Sequence, residues 1–463
     1  LSTLDDAIQE VRTLLETCAN DSEKSSAYIK QLAWLFFLRC QPSSQTCENV
    51  RAFCQKQCGF HYEEQPDESE VAFIEQLRNC IGRIKNVPSP LTGTADTISI
   101  FYGSLLTLLA ELHPHNGFFD TPAPVVHFMV EALKPEAGEI IYDPAAGACG
   151  LLVEAYSQGN ISRTAFQGFE IDPDVAMLGA INMALHGIDI AKFHRQDALS
   201  VEISSQDTSN TRNTQPGLFP DEELERIGFS IKPVDVILTH LPFDRHELAS
   251  ARPQKGTKQL NLDYDGYFLK HCMQSLKEGE KSRCALIVER EILSGRTKDH
   301  KQLRQELFSE CNIQMIITLP PDTFGEASSQ PTFLLFFSSG QGTQKTLRYE
   351  LPLEKGTAKG TDFAPVLAAW QQWCDHLAGN GPPPEQNKNL WIECYDALHY
   401  EESLLKDPDY GPSKDPYSLI RPQPGSAPAL IEPKILVKQL LEQTEELRKA
   451  AQKLQDLLEQ GEE

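Results

Sequence analysis

The chain predicts an α/β fold: a parallel sheet covered by helices on both faces, with a helical region before it and one long helix after it. Three observations point there. From about residue 120 to 340, short apolar runs alternate with amphipathic stretches. The runs are apolar throughout rather than at every second position, as strands buried on both faces are. Several of them end on an acid followed by a turn or helix start, the place where open α/β sheets hold ligands.

In chain order, residues 1–115 read as a helical N-terminal domain. SSAYIKQLAWLFFLRC sets Ile29, Leu32, Leu35 and Phe36 at helical spacing, and VAFIEQLRNCIGRI and ISIFYGSLLTLLAEL repeat the pattern. The core is expected over 116–345, with strands in EIIYD, TAFQGFE, KFHRQ, VDVILT, RCALIV, IQMIITL and TFLLFF. The polar stretch SSQDTSNTRNTQPG reads as a surface insertion or mobile loop. Residues 346–430 read as an irregular extension with proline spacers. Residues 431–463 read as a helix with a narrow seam of Leu436, Leu440, Leu447, Ala450, Leu454 and Leu457, which suits either its own domain or a helix of another chain.

Bulk composition narrows the class. The chain has 463 residues, enough for two to four domains. The longest apolar runs, such as AWLFFL and FLLFF, are too short to span a bilayer, and the start LSTLDDAIQEV lacks a basic-then-apolar signal, so a cytoplasmic location is expected. Twelve scattered cysteines fit free thiols in a reducing compartment. In CENVRAFCQKQCGFH, Cys47, Cys54 and Cys58 fall on one helix face, which suits a buried stripe better than a zinc site with His61; no metal is expected. With 42 Lys and Arg against 66 Asp and Glu, the net charge is -24. Strong autonomous binding to a phosphate backbone is not expected, and a local basic patch or a separate partner would have to hold any nucleic acid.

Three stretches carry chemistry. In IIYDPAAGACGLLVEAY a strand ends at Asp143, a small-residue turn follows, and a helix starts near Leu151. Such a turn lets backbone approach a cofactor while the helix start offers N–H groups to a carboxylate. There is no phosphate-binding Lys, and an acid before the turn suits the amino group of a methionine moiety, although any doubly wound fold could use such a turn. In FQGFEIDPDVAMLG, Glu170 ends the next strand, where an acid takes ribose hydroxyls or simply caps a helix. In HRQDALS, Asp197 ends a third strand, placed to accept from an adenine amino group.

DPAAGACG, GFEID, QDAL and VILTHLPF, in this order, resemble the motifs of S-adenosylmethionine-dependent DNA adenine-N6 methyltransferases. FFDTPAPVVHFMV resembles the segment that precedes the cofactor motif in that group. FLKHCMQSLKEGEKSRCALIV and IITLPPDTFGEASSQPTFLLFF resemble the modification subunit of type I restriction–modification systems, and the likeness runs from about residue 20 to 400. The resemblance implies a Rossmann-like class I methyltransferase core with S-adenosylmethionine as cofactor. It implies that Thr121 and Pro122 border the methionine part and that Asp143, Ala145 and Gly147 hold the amino-acid end. Glu170 would bind the ribose, and Asp197 with Ala198 the adenine. The catalytic loop would be His240, Leu241, Pro242 and Phe243.

The loop has a physical task. The exocyclic nitrogen of adenine is a poor nucleophile because its lone pair is delocalised into the ring. Two acceptors on its hydrogens favour a tetrahedral nitrogen, while an aromatic ring stacks on the flipped base. The family uses Asn-Pro-Pro followed by Phe or Tyr. This chain keeps Phe243 and the Leu241 carbonyl but has His240 for the amide, and a neutral imidazole offers one acceptor nitrogen. Two further departures are expected to line the cleft: Ala148 and Cys149 stand where Ser and Gly are usual, so that the Cys149 side chain would crowd the methionine moiety, and VEREIL replaces an LPNGVL-like stretch.

The resemblance implies a DNA adenine-N6 methyltransferase subunit of a type I-like restriction–modification or related host-defence complex. Its implied partners are a DNA-specificity subunit, a second copy of the chain, a nuclease or translocase subunit, and duplex DNA with a flipped adenine. The three departures motivate a second reading, a catalytically weakened homologue that clamps DNA structurally. Methylation of a protein glutamine or of RNA ranks third.

Overall fold

The computed structural model describes residues 9–13, 22–40, 43–60, 102–107, 121–204, 230–242, 262–279, 281–320, 332–352 and 362–394, together with residues 75, 79, 214, 215, 323 and 324. The expected terminal helix at 431–463, Phe243 and His61 lie outside the described residues.

Two helices come first, α1 (Ser22–Arg39) and α2 (Ser44–Cys58). Ser43 caps α2 by accepting from the Thr46 N–H, and Gly59, with φ +66, closes it in the left-handed conformation. The core opens with α3 (Ala123–Leu133), β1 (Ile141–Asp143), α4 (Gly150–Gln158), β2 (Phe166–Glu170), α5 (Pro173–Leu185) and β3 (Phe193–Arg195). A 3₁₀ turn (Ala198–Ser200) leads to three short strands, β4 (Glu202–Ser204), β5 (Thr214–Gln215) and β6 (Ser230–Ile231), which form a small separate sheet. Part of the polar insertion is therefore ordered: Thr214 and Gln215 pair with β4. Then come β7 (Val236–His240), α6 (Tyr264–Ser275), β8 (Arg283–Glu289), α7 (Arg290–Ser294), α8 (Lys298–Glu310), β9 (Cys311–Thr318) and β10 (Thr332–Ser339). The last described elements are β11 (Lys345–Glu350), α9 (Ala364–Leu377) and β12 (Leu390–Cys394).

The main sheet has nine strands in the order β12-β11-β9-β10-β8-β7-β1-β2-β3. Strands β8, β7, β1, β2 and β3 run parallel to one another, so their carboxyl ends share one edge. The expected parallel sheet proves mixed: β10 is antiparallel to β8 and β9, and β12 is antiparallel to β11. The extension expected to be irregular also needs correction. It carries α9 and adds β11 and β12 to the sheet, and the α9 residue Trp370 donates its indole N–H to the Ala132 carbonyl at 3.0 Å.

Successive strand residues face opposite sides, and the core divides accordingly. Ile141 belongs to the apolar cluster under α3, α4 and α5, and Tyr142 to the cluster under α6 and α8. The first cluster also holds Ile29, Phe36, Phe53 and Tyr102, so the N-terminal helices pack directly on the core. The contacts are specific: Lys30 pairs with Asp174 at 2.6 Å, Phe53 stacks on Phe193 with centroids 5.4 Å apart, and the Tyr102 hydroxyl donates to the Leu178 carbonyl at 2.8 Å. Cys54 is buried, with Cys47 and Cys58 half-buried on the same face, as a packing stripe would be. Among the described residues, no helix is long and apolar enough to cross a membrane.

Candidate active site

Parallel register builds the site. Asp143 at the end of β1 lies opposite Gly168, two residues before Glu170 at the end of β2. On the other side of β1, Ile141 and Tyr142 lie opposite Val236 and Ile237, which brings His240, three residues further on, to the same edge. Asp197 follows the end of β3 by two residues. One crevice is lined by Asp143, Ala145, Gly147, Glu170, Asp197 and Ala198, and by Thr121, His240, Leu241 and Pro242. Pro122 is set back from it; its carbonyl accepts from the Val125 and Val126 N–H groups and starts α3.

Each acid is aimed by backbone. The Asp143 carboxylate accepts from the Ala145 N–H at 3.0 Å, and that of Asp197 from the Leu199 N–H at 2.9 Å. Glu170 accepts from Gly147 N–H through one oxygen (3.0 Å) and from Asp172 N–H through the other (2.8 Å). The helix-cap reading of Glu170 is corrected: Asp172 caps α5 by accepting from the Asp174 and Val175 N–H groups, while the two bonds of Glu170 fix its direction and leave acceptor capacity on a carboxylate with about four acceptor sites. Asp143 is 1% exposed. Burial pushes its carboxyl up to about 7, the Glu170 charge adds to the rise, and the Thr239 side chain and the Ala145 N–H oppose it.

The turn itself admits a ligand. Gly147 has φ +53, and a Cβ placed on Gly147 or Gly150 would meet nothing within 4 Å, so both backbones border open space. The N–H groups at the start of α4 offer partial positive charge to a carboxylate beside it. Asp143, the start of α4 and Glu170 could hold, in turn, the amino group, the carboxylate and the ribose hydroxyls of a cofactor that carries all three.

The expected crowding by Cys149 is corrected. Cys149 adopts φ 63 and caps the start of α4, but its sulfur turns away from the crevice. A Cβ added at Gly179 of α5 would lie 2.9 Å from that sulfur and 2.8 Å from the Gly147 carbonyl. Gly179 thus makes room for the thiol beneath the turn, while Asn182 holds the turn from the same helix by donating to the Ala148 carbonyl at 2.8 Å. The replacement VEREIL is not crevice-lining either: Ile292 and Leu293 of α7 are buried in the core cluster under α6 and α8. Of the three departures, His240 and the Ala148 part of the turn line the crevice, whereas among the described residues Cys149 and VEREIL do not.

His240 is held in place. Its Nδ1 lies 2.9 Å from the Thr121 hydroxyl oxygen, and its ring centroid is 4.9 Å from that of Phe324. Burial pushes the imidazole down to about 3, so the ring is neutral in ordinary buffers. Leu241 is fully buried and its N–H donates to the Ile287 carbonyl of β8 at 3.3 Å.

Sequence reasoning missed one wall. Tyr264 and Phe268, one turn apart on α6, line the crevice and touch each other with centroids 5.0 Å apart. Asp263, capping α6, was the available signal. That acid also contacts Nε2 of His300 at 2.8 Å, and Nδ1 of His300 contacts the Thr297 hydroxyl at 2.7 Å. Below the wall, the Tyr142 hydroxyl and Nε2 of His271 are 2.8 Å apart and buried. Burial holds His271 down at about 4.

Comparison with known proteins agrees with this geometry. Residues 93–361 match the family model described as N-6 DNA Methylase. The chain is similar to the EcoEI type I restriction enzyme methylase subunit of Escherichia coli, 28% identical over 323 residues, covering 66% of this chain and 61% of that protein. It is also similar to the EcoKI methylase subunit of Escherichia coli strain K12, 26% identical over 243 residues, with 48% of this chain and 40% of that one covered. The chain thus spans less than two thirds of the length of these relatives. Among solved structures, one chain from a study of complex assembly and conformational transition in the type I R-M system shares a TM-score of 0.63 at 24% identity, covering 98% of both chains. A modification subunit of a putative type I restriction enzyme from Vibrio vulnificus YJ016 gives 0.55 at 19% identity, covering 83% of this chain and 92% of that one. The fold is that of a class I methyltransferase, and the chain belongs to the N-6 DNA methylase family.

Proposed function

We propose that the chain is the methylating subunit of a type I-like restriction–modification complex, transferring a methyl group from S-adenosylmethionine to N6 of an adenine in duplex DNA. The observation that carries this is the convergence of Asp143, Glu170, Asp197 and His240 on one crevice. In this reading, bound S-adenosylmethionine supplies the activated methyl group. Asp143 would hold its amino group, Glu170 its ribose and Asp197 its adenine, with Ala198, Tyr264 and Phe268 lining the same crevice. Asp143 must shed its proton for this, and an ammonium partner drives that loss.

The target base is extruded from the duplex into the crevice. His240, neutral because it is buried, accepts one hydrogen of the amino group, and the Leu241 carbonyl is assigned the other. Phe243 is assigned the stacking role, and Phe324 adds a second ring beside the imidazole. Neither Cys149 nor VEREIL belongs to the crevice lining, which favours catalysis over a purely structural role. A chain this acidic needs a DNA-specificity partner to bring the duplex to it. A second copy of the chain, a nuclease or translocase subunit and a cytoplasmic location complete the proposal, with domain boundaries near residues 115 and 430 and no boundary at 345, where β11 joins the core sheet.

The test is transfer of labelled methyl groups to adenine in duplex DNA by the chain assembled with a specificity subunit. The proposal expects transfer that His240→Ala lowers by about 10²-fold or more. Cofactor binding without any transfer, and no gain from His240→Asn, would leave the structural reading in its place.

A further inference from the structure

An amide side chain at position 240 would present its oxygen as an acceptor whatever surrounds it. An imidazole does not. In its neutral form one nitrogen carries a proton and the other a lone pair, and the partner of one nitrogen decides the role of the other. The partner of Nδ1 is the Thr121 hydroxyl, 2.9 Å away. That hydroxyl is set by local structure, because Thr121 immediately precedes Pro122, whose carbonyl holds two N–H groups at the start of the buried helix α3. The other side of the imidazole is held by the Phe324 ring, so ring orientation is restricted on two sides.

A threonine hydroxyl either donates or accepts, and the two choices have opposite consequences. If it donates to Nδ1, the proton sits on Nε2 and the ring offers a donor to an incoming amino group, which itself can only donate while its lone pair is delocalised. If it accepts from Nδ1, Nε2 carries a lone pair and replaces the amide oxygen. We propose that Thr121 is a positioning residue that fixes the tautomer of His240, accepting the Nδ1 proton so that Nε2 is the acceptor for the target amino group. The direction of this bond rests on the methyl-transfer reading; the dependence of the tautomer on Thr121 does not. Thr121 thereby has two separable duties, one toward the cofactor and one toward His240.

The test uses the full chain labelled with ¹⁵N-histidine, the His240 signal being identified by its loss in His240→Asn. The two ring nitrogens have distinct shifts when protonated and when carrying a lone pair. The expected result is a protonated Nδ1 in the wild type, the same in Thr121→Ser, and a shift toward protonated Nε2 in Thr121→Val. A protonated Nε2 in the wild type, or no change in Thr121→Val, overturns the proposal. This readout needs no methyl transfer, so an inactive protein with the expected tautomer would sink the functional reading and leave this one standing. In the assembled complex at saturating cofactor, Thr121→Val should lower kcat about tenfold, the worth of one neutral hydrogen bond. In the His240→Asn background, where there is no tautomer to set, the same substitution should cost markedly less kcat than it does beside His240. An equal kcat loss in both backgrounds would mean that Thr121 acts on the cofactor alone.

Discussion

At the scale of single residues, the carboxyl of Asp143 has the clearest consequence. Its value near 7, far above the ordinary 3.8, means that the folded chain holds a proton there which the unfolded chain releases. This contribution to stability is full below about pH 3.8 and is lost as pH rises to about 7. Binding a cofactor's ammonium requires the ionised form, so affinity measured by calorimetry should fall roughly tenfold per unit as pH drops below 7. Asp143→Asn should bind the cofactor poorly and raise thermal stability at pH 8, because the charge is costly to bury. A flat affinity profile between pH 5.5 and 8 would contradict this assignment. Cys149 offers a second check. Gly179→Ala places a Cβ 2.8 Å from the Gly147 carbonyl and 2.9 Å from the Cys149 sulfur. It should cost about 1–3 kcal/mol in unfolding experiments, with Cys149→Ala recovering part of the loss. The acids were legible in the sequence because each ends a run of apolar residues. The direction of the Cys149 side chain was not, because it depends on a glycine thirty residues away.

At the scale of elements, strands were readable and walls were not. IIYD, FQGFE and VDVILT announce themselves because a strand buried on both faces must be apolar throughout. The α6 wall depends on long-range bonds that leave no local trace, Tyr142 to His271 across 129 positions and Asp263 to His300 across 37. Burial alone would raise Asp263, yet His300 and the Gly266 N–H outweigh it and hold the carboxyl below its usual range. His300→Ala should therefore loosen the start of α6, at a cost on the order of 1 kcal/mol, and weaken cofactor binding by displacing Tyr264. Unchanged affinity would show that the wall does not depend on the clamp. The edge strand β3 was readable as a strand, but not its cover: the Gln57 side chain of α2 accepts from the Arg195 N–H at 2.8 Å. An edge so occupied is closed to pairing with another chain. Phe53→Ala, which removes the ring stacked on Phe193, should cost roughly 3–5 kcal/mol in unfolding experiments.

At the scale of the molecule, composition set the limits and the ordered motifs set the family. A net charge of -24 argues against unaided DNA binding, while the crevice gathers Asp143, Glu170 and Asp197 from the strand ends. The extension beyond residue 345 read as irregular because its prolines and glycines masked short strands that become stable only by joining β9. The weight given to three departures from the family pattern also had to change, since position in sequence does not show which side chains reach a cleft. The account stands or falls on cofactor recognition by the acids at the strand ends. Calorimetry of S-adenosylmethionine with the full chain tests that directly. Single-site binding that is weakened at least tenfold by each of Asp143→Ala, Glu170→Ala and Asp197→Ala is the predicted result, and binding indifferent to all three substitutions would contradict it.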